Sequence, residues 1–343
     1  MRFLICGTNY GATYFRALYA NENGVIAGVL ARSERSRAVA AECGVPFYTS
    51  VDEIPLDAID AACVAVPGPD GHRITSALLG CGIHVLAEHP VYPAEVIAHR
   101  QTAREHGAVY HVNAHYSDLE AAATFISAFQ ATRQRSQLLF VNVMTNPRAL
   151  YSAIEIAGRA LGPLRPFTLE HVPWDTGSFF HLARAIVPGV PLTFQLQRIS
   201  SEVDDGSANW VSHNITAGFD DGILSLGEAF GPAAWMPSPP SLPRLQSSDA
   251  AQLWARPLWR VLATPPPTFS DYAGWARDRA NRVAIARLAA EVATGTAPPE
   301  QSDAHLLGVT ELWQAMLGGP ITVPQATVNE ENDSSSAERR SSG

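Results

Sequence analysis

Two short turns carry the side chains best suited to moving protons: Glu88-His89-Pro90, and Asn113-Ala114-His115-Tyr116. An imidazole, with a reference pKa of ~6.5, donates a proton at neutral pH, while a phenol near ~10 is a weaker acid but a good hydrogen-bond donor. Such groups serve reactions in which a hydride arrives at carbon and the neighbouring atom is left needing a proton. His89 is therefore the candidate acid and Tyr116 the orienting or alternate acid. Glu88 is assigned to orienting His89 or to holding a carboxamide, and the residue types alone leave that choice open.

The elements around these turns bring them to one place. Apolar runs at Arg2 to Cys6, Val25 to Ala31, Ala61 to Val66, His84 to Ala87 and Val109 to Asn113 read as strands. Helical segments lie between them, around Ala12 to Ala20, Arg35 to Glu42, His72 to Gly80 and Pro93 to Glu105. This alternation predicts a doubly wound parallel sheet, whose ligands sit beyond the carboxyl ends of the strands. Both turns fall on that edge, and so do three further segments.

The first strand runs through Gly7-Thr8-Asn9-Tyr10-Gly11-Ala12 straight into a helix, the order that seats a pyrophosphate on a helix N-terminus. Asn9 stands where a glycine usually allows close backbone approach. At the end of the second strand comes Arg32-Ser33-Glu34-Arg35-Ser36-Arg37 instead of the acidic residue that binds an NAD ribose. Arg32, Arg35 or Arg37 with the Ser33 hydroxyl would bind a 2′-phosphate, so NADP(H) is the expected cofactor. Val66 ends the third strand and Pro67 and His72 follow it, and with Glu88, His89 and Asn113 they are expected to face the nicotinamide half.

Beyond Ser117, a helix to about Arg133 leads to strands at Leu138 to Thr145, Phe167 to Val172, Thr193 to Arg198, Val211 to Phe219 and Ile223 to Ala229. Several alternate polar and apolar residues, and Asp220-Asp221-Gly222 marks a hairpin turn at positive φ. The expected architecture is α/β: a Rossmann domain over residues 1–116, then an α+β substrate and dimerisation domain over 117–325 with a mainly antiparallel sheet. A disordered tail is expected over 326–343. His171, Trp174, Asp175, Phe179, Phe180 and His181 read as a loop that would line a pocket for an aromatic acyl chain. Helices after Ser270 and Ser302 close the fold, the second burying Leu306, Val309, Leu312, Trp313 and Met316.

The charge balance of 24 − 33 = −9 with no basic stripe speaks against nucleic acid and anionic membranes as partners. Every cation is Arg, for the chain contains no Lys. Schiff-base and lysine general-acid chemistry are thereby excluded. Cys6, Cys43, Cys63 and Cys81 show no CxxC pair and no metal-ligand spacing, which predicts buried reduced thiols and a cytoplasmic setting. No metal site is expected. No run approaches ~18 apolar residues, so no membrane span is expected.

The stretch from Val66-Pro67 through His72 and Gly82-Ile83-His84-Val85 to Glu88-His89-Pro90 resembles the glucose-fructose oxidoreductase and inositol dehydrogenase superfamily. Its members usually carry Glu-Lys-Pro at this turn, and His89 replaces that lysine. Together with Gly7-Thr8-Asn9-Tyr10-Gly11 and His111-Val112-Asn113-Ala114-His115-Tyr116, the pattern is similar to the thiazolinyl imine reductases of siderophore assembly lines. The resemblance implies NADPH-dependent reduction of a thiazoline C=N bond to a thiazolidine, on an intermediate tethered to the carrier protein of a nonribosomal peptide synthetase. It implies that His89 and Tyr116 are the proton donors, and a homodimer formed through the second-domain sheet. The competing readings are another imine reductase or a sugar or polyol dehydrogenase of the superfamily, and a non-catalytic protein that senses NADPH.

Overall fold

The five apolar runs of the first third are too short for helices and lack a polar face, and they form the centre of one sheet. The computed structural model describes residues 1–19, 24–173, 178–198, 209–240, 251–252 and 255–318. Strands β1 (Arg2–Cys6), β2 (Val25–Leu30), β3 (Phe47–Tyr48), β4 (Ala61–Val64), β5 (His84–Glu88) and β6 (Tyr110–Asn113) are ordered β3-β2-β1-β4-β5-β6. All their pairings are parallel. Helices α1 (Ala12–Tyr19), α2 (Glu34–Glu42), α3 (Gly68–Gly80) and α4 (Pro93–Glu105) make the crossovers. The doubly wound sheet is as expected. The two-residue β3, too short to show a period, was not legible in the sequence. Helix α3 begins four residues before His72, because Pro67 caps it and Pro69 sits in its first turn.

The second sheet has eight strands in the order β14-β13-β12-β11-β7-β10-β9-β8. They are β7 (Leu138–Thr145), β8 (Thr168–His171), β9 (Phe180–Val187), β10 (Val190–Gln197), β11 (Asn214–Phe219), β12 (Gly222–Leu226), β13 (Ala233–Pro237) and β14 (Arg260–Ala263). Only β7 and β10 pair in parallel. The remaining neighbours are antiparallel, which is the expected mainly antiparallel sheet. Helices α5 (Glu120–Arg133) and α6 (Leu150–Leu161) belong to this half.

Four expectations are corrected here. Nothing was assigned between Thr145 and Phe167, yet α6 lies there, with Leu150, Ala153, Ile154, Ala157 and Leu161 on one buried side. In the β11–β12 hairpin Phe219 faces Gly222, so Asp220 and Asp221 alone make the turn. Gly222 is not at positive φ. It is glycine for space, since a Cβ there would come within 2.5 Å of the Met236 carbonyl oxygen and the Trp235 ring. Of the residues expected in a pocket loop, His171 ends strand β8 and Phe180 and His181 begin strand β9, Phe179 lies just before that strand, and Trp174 and Asp175 lie outside the described residues. Cys6 and Cys63 are buried, but Cys43 is half-buried and Cys81 exposed.

The C-terminal helices return to the first half. Thr268, not Ser270, caps a single turn at Phe269–Asp271 through a capping box with Asp271. A π-helical turn at Tyr272–Ala276 then leads into α7 (Arg277–Thr294). Ala284, Ile285 and Leu288 of α7 share a core with Phe3, Ile5, Tyr14 and Phe15, and Asp278 receives Arg16 at 2.7 Å. Ser302 caps α8 (Asp303–Leu317) and the five expected apolar residues are buried. The two sheets thus divide near residue 116, while α7 packs across that line. The expected tail lies outside the described residues.

Candidate active site

Burial on both faces keeps β5 apolar from Val85 to Ala87, and β5 and β6 both end on a polar side chain. Glu88 is the final residue of β5 and is paired with Asn113, the final residue of β6. The Asn113 amide donates to Glu88 Oε1 at 2.9 Å and to the Tyr14 hydroxyl at 2.7 Å, and it lies 2.9 Å from Asn281 Oδ1 on α7. Tyr14 in turn donates to Glu88 Oε1. Glu88 is therefore fixed from inside the fold, with its second oxygen 3.4 Å from His89 Nδ1.

His89 Nδ1 also lies 2.8 Å from the Asn113 carbonyl oxygen. A carbonyl only accepts, so Nδ1 carries a hydrogen and Nε2 is the nitrogen left to give or take a proton. Burial works against a charged ring, but the Glu88 carboxylate, the Asn113 carbonyl and, from farther away, Glu155 outweigh it and hold the His89 pKa above its ordinary value. The ring stacks on Tyr151 at 5.3 Å and meets the Tyr116 ring edge-on at 6.0 Å. The His89–Pro90 peptide is cis.

Tyr116 follows β6 in a 3-10 turn (His115–Asp118). Its ring lies between two imidazoles, His115 at 4.1 Å and His213 at 4.4 Å. Burial, followed by the nearby Glu88 charge, raises the Tyr116 pKa, against the pull of a hydrogen bond with Tyr272 and of Arg277. The phenol is therefore neutral. Burial, and next the proximity of His89, push His115 well below the ordinary histidine range. The Tyr10 hydroxyl holds that neutral ring at 2.8 Å. His213 is clamped at both ends, by Glu228 at 2.6 Å and by the Ser152 hydroxyl at 2.7 Å.

One cavity of about 1350 Å³ joins this centre to the β1–α1 turn. Gly7, Thr8, Asn9, Tyr10, Arg32, Ser33, Val66, Pro67, His72, Glu88, His89 and Tyr116 all line it. Gly7 has φ +80°, and a Cβ there would sit 2.9 Å from the Ala65 carbonyl oxygen, so the turn closes tightly against the strand beside it. A groove that runs from a glycine turn at a helix N-terminus to an imidazole and a phenol has the layout that would seat a dinucleotide.

The remaining candidates are placed elsewhere. Gly11 and Ala12 shape the turn without lining the cavity, and Asn113 turns into the interior beneath Glu88. Arg35 is exposed and off the cavity. Arg37 pairs with Glu34 at 3.3 Å and covers the Phe47 ring at 4.4 Å. His171, Phe179, Phe180 and His181 are not among the lining residues. The aromatic wall comes instead from Tyr92 and Trp313, whose rings are 5.1 Å apart. Arg148 and Ser36 also line the cavity and were not site candidates in the sequence, and Trp313, expected only as core, lines it too. The α8 stripe could have signalled Trp313, but it reads equally well as core.

Glu88, His89 and His115 place one ligand atom each within 4.8 Å of one another. All three residues already make hydrogen bonds, to Tyr14 and Asn113, to Asn113, and to Tyr10 respectively. We assign them no metal.

Residues 1–114 match the oxidoreductase family with an NAD-binding Rossmann fold. That match covers the first third of the chain, the part that holds the parallel sheet. Residues 136–236 match the C-terminal domain of Irp3-like thiazolinyl imine reductases. The chain is thus similar to NAD-binding oxidoreductases over its first third and to the Irp3-like C-terminal domain over residues 136–236. No curated protein sequence matches the chain. Among solved structures it is similar to an aldose-aldose oxidoreductase from Caulobacter crescentus complexed with glycerol, at 12% identity and TM-score 0.68 over 93% of this chain and 96% of that one. A 3-ketoreductase from Actinomadura kijaniata, solved with TDP-benzene and NADP, gives 16% identity and TM-score 0.66 over 93% and 97%. An oxidoreductase from Agrobacterium radiobacter, solved with NAD+, L-tartaric acid and magnesium, gives 12% and 0.66 over 92% and 94%. At these identities the likeness is one of fold. Among the described residues, no helix is long and apolar enough to cross a membrane.

Proposed function

We propose that this protein is an NADPH-dependent reductase that converts a thiazoline C=N bond to a thiazolidine on a carrier-protein-bound intermediate of nonribosomal siderophore synthesis. The observation that carries the reading is the pairing of an Irp3-like second domain with a histidine, not a lysine, beside Glu88 on the cavity. The dinucleotide, when bound, supplies the hydride. Thr8, Ser33 and Arg32, which line the cavity, would hold its phosphates, and Val66, Pro67 and His72 would receive the nicotinamide end.

His89 delivers a proton from Nε2 to the ring nitrogen, and Glu88 with the Asn113 carbonyl stabilises the imidazolium before that transfer. Tyr116 donates a hydrogen bond that orients the same nitrogen, and Tyr92 with Trp313 packs on the apolar remainder of the substrate. A cytoplasmic homodimer completes the proposal. The outer side of β9, which exposes Leu182 and Ile186, supplies part of its interface, and a monomeric mass in solution would refute it.

The test is incubation with NADPH and a synthetic thiazoline ester, following nicotinamide absorbance and the product mass. We expect loss of absorbance matched by the gain of two hydrogens in the product, and no oxidation across a panel of sugars and polyols. Sugar oxidation without thiazoline reduction would overturn the reading in favour of a sugar dehydrogenase. Tight NADPH binding with no turnover of any imine would make the protein a nucleotide sensor.

A further inference from the structure

We infer that Arg73, on α3, forms with Arg32 a two-guanidinium seat for the 2′-phosphate of the nucleotide, and that Asp70 is a carboxylate of the chain's own that competes for this seat. The inference rests on the NADPH reading and deepens it, for it exchanges two of the arginines expected from the sequence for one that was not.

Asp70 lies between two cations. Its Oδ2 accepts from Arg32 Nη2, and its Oδ1 accepts from Arg73 Nη2 at 2.7 Å. The three residues come from the end of β2 and the start of α3, and all line the cavity. Both guanidiniums are open to solvent, at 73% and 74% exposure, so their pairs with Asp70 are of the weak, exchangeable kind.

Hydroxyls complete the seat. Ser36 Oγ lies 2.7 Å from both Thr8 Oγ1 and Ser33 Oγ, and these three side chains border the same cavity. Ser33 caps the nine-residue α2 by accepting from the Ser36 amide, which adds the positive end of that helix. Arg37 and Arg35 are withdrawn from this group, the first by Glu34 and Phe47 and the second by its position off the cavity.

Charge selects the ligand. With Asp70 between them the two arginines leave a net single positive charge, held by groups that also suit a phosphate's oxygens. A phosphomonoester carries about −1.5 to −2 at neutral pH and offers three acceptor oxygens, so it outcompetes one carboxylate for two forked guanidiniums. A ribose hydroxyl offers no such exchange. NADH therefore leaves the Arg32–Asp70–Arg73 bridge intact, whereas NADPH opens it.

Direct binding tests this without turnover. Dissociation constants for NADPH and NADH are measured by nucleotide fluorescence, with adenosine 2′-monophosphate and adenosine 5′-monophosphate as competing probes, on the full-length protein and its R73A, R32A and D70N variants. We expect R73A to weaken NADPH and the 2′-monophosphate by about tenfold, the scale of one charge-assisted bond at an exposed site, with a much smaller effect on NADH. D70N should tighten NADPH severalfold. If R73A moves NADPH and NADH equally while R32A abolishes their discrimination, Arg73 is only a helix-surface partner of Asp70 and the two-arginine seat falls. If D70N leaves NADPH unchanged or weakens it, the competitor role falls. A wild-type protein that binds NADH as tightly as NADPH would instead refute the cofactor reading on which the inference stands.

Discussion

Replacing Glu88 with Gln keeps the shape of the side chain while removing the charge that raises the His89 pKa. At 3.4 Å, with an effective dielectric of ~20, the pair is worth at most about 5 kcal/mol (332/(20 × 3.4)). The Asn113 carbonyl and Glu155 remain in the variant, so only part of this is lost. A third of it is already about tenfold in the protonation equilibrium of the ring. Burial, the strongest influence on His89, then acts with less to oppose it and favours the neutral ring.

The sign follows from the raised pKa. If imidazolium is the acid, wild-type kcat/KM with NADPH and a thiazoline ester falls as pH rises through the His89 pKa. In E88Q that alkaline limb moves to lower pH, with the rate near pH ~8 falling by tenfold or more. Stability carries the same signature. A raised folded-state pKa contributes stability that is fully present below the unfolded-state value and is lost as pH rises through the folded-state value. The stability gap between wild type and E88Q, read from urea unfolding, should therefore be wider at pH ~5.5 than at pH ~9. The altered bonds to Tyr14 and Asn113 contribute at both pH values and cancel in that comparison. An alkaline limb unmoved by E88Q, together with an unchanged His89 titration by NMR, would refute the argument.

Three other outcomes follow from the same geometry. H89A should lower kcat by about 10²–10⁴, the span of general-acid catalysis, while Y116F should cost roughly tenfold; equal losses in single-turnover experiments would contradict the assignment of His89 as the acid. H213A leaves the Glu228 carboxylate without the imidazole that holds its pKa down against burial, so urea unfolding should show a loss of about 3 kcal/mol. Tyr116 then loses the ring stacked against it, and kcat should fall more than KM rises. R159M removes the guanidinium that Glu155 and Asp118 share, leaving buried carboxylates to Arg287 and His305, with an expected loss of about 3–5 kcal/mol in the same assay.

The Rossmann sheet was legible because β1, β2, β4, β5 and β6 are short segments dominated by apolar residues and each crossover keeps a polar side, so five of its six strands could be placed from local pattern alone. The positions of His89 and Tyr116 on one sheet edge followed from topology. What stayed hidden depends on long-range packing. The apolar residues of α6 do recur at helical spacing, but Ser152, Glu155 and Arg159 on its other side turn inward to His213, Asp118 and His305 instead of to water. The arginines after β2 look equivalent in sequence. Only the path of α2 separates Arg32, on the cavity, from Arg37 over Phe47, and only the path of α3 brings Arg73 beside Arg32.

Asn113 shows most directly how the fold tunes the chemistry from a distance. The residue was expected at the cofactor, but its side chain points away from the cavity and gathers Tyr14 of α1, Glu88 of β5 and Asn281 of α7, while its carbonyl fixes the His89 tautomer. Asn281 passes the connection on to Thr13 at 3.0 Å, so α1, β5, β6 and α7 share one buried polar network. Such networks are costly when incomplete and define geometry closely when satisfied. The return of α7 across the boundary between the two sheets is therefore more than packing. It brings Asn281, whose amide oxygen lies 2.9 Å from the Asn113 amide nitrogen behind Glu88, and so supports the carboxylate that stands beside the imidazole at the cavity wall.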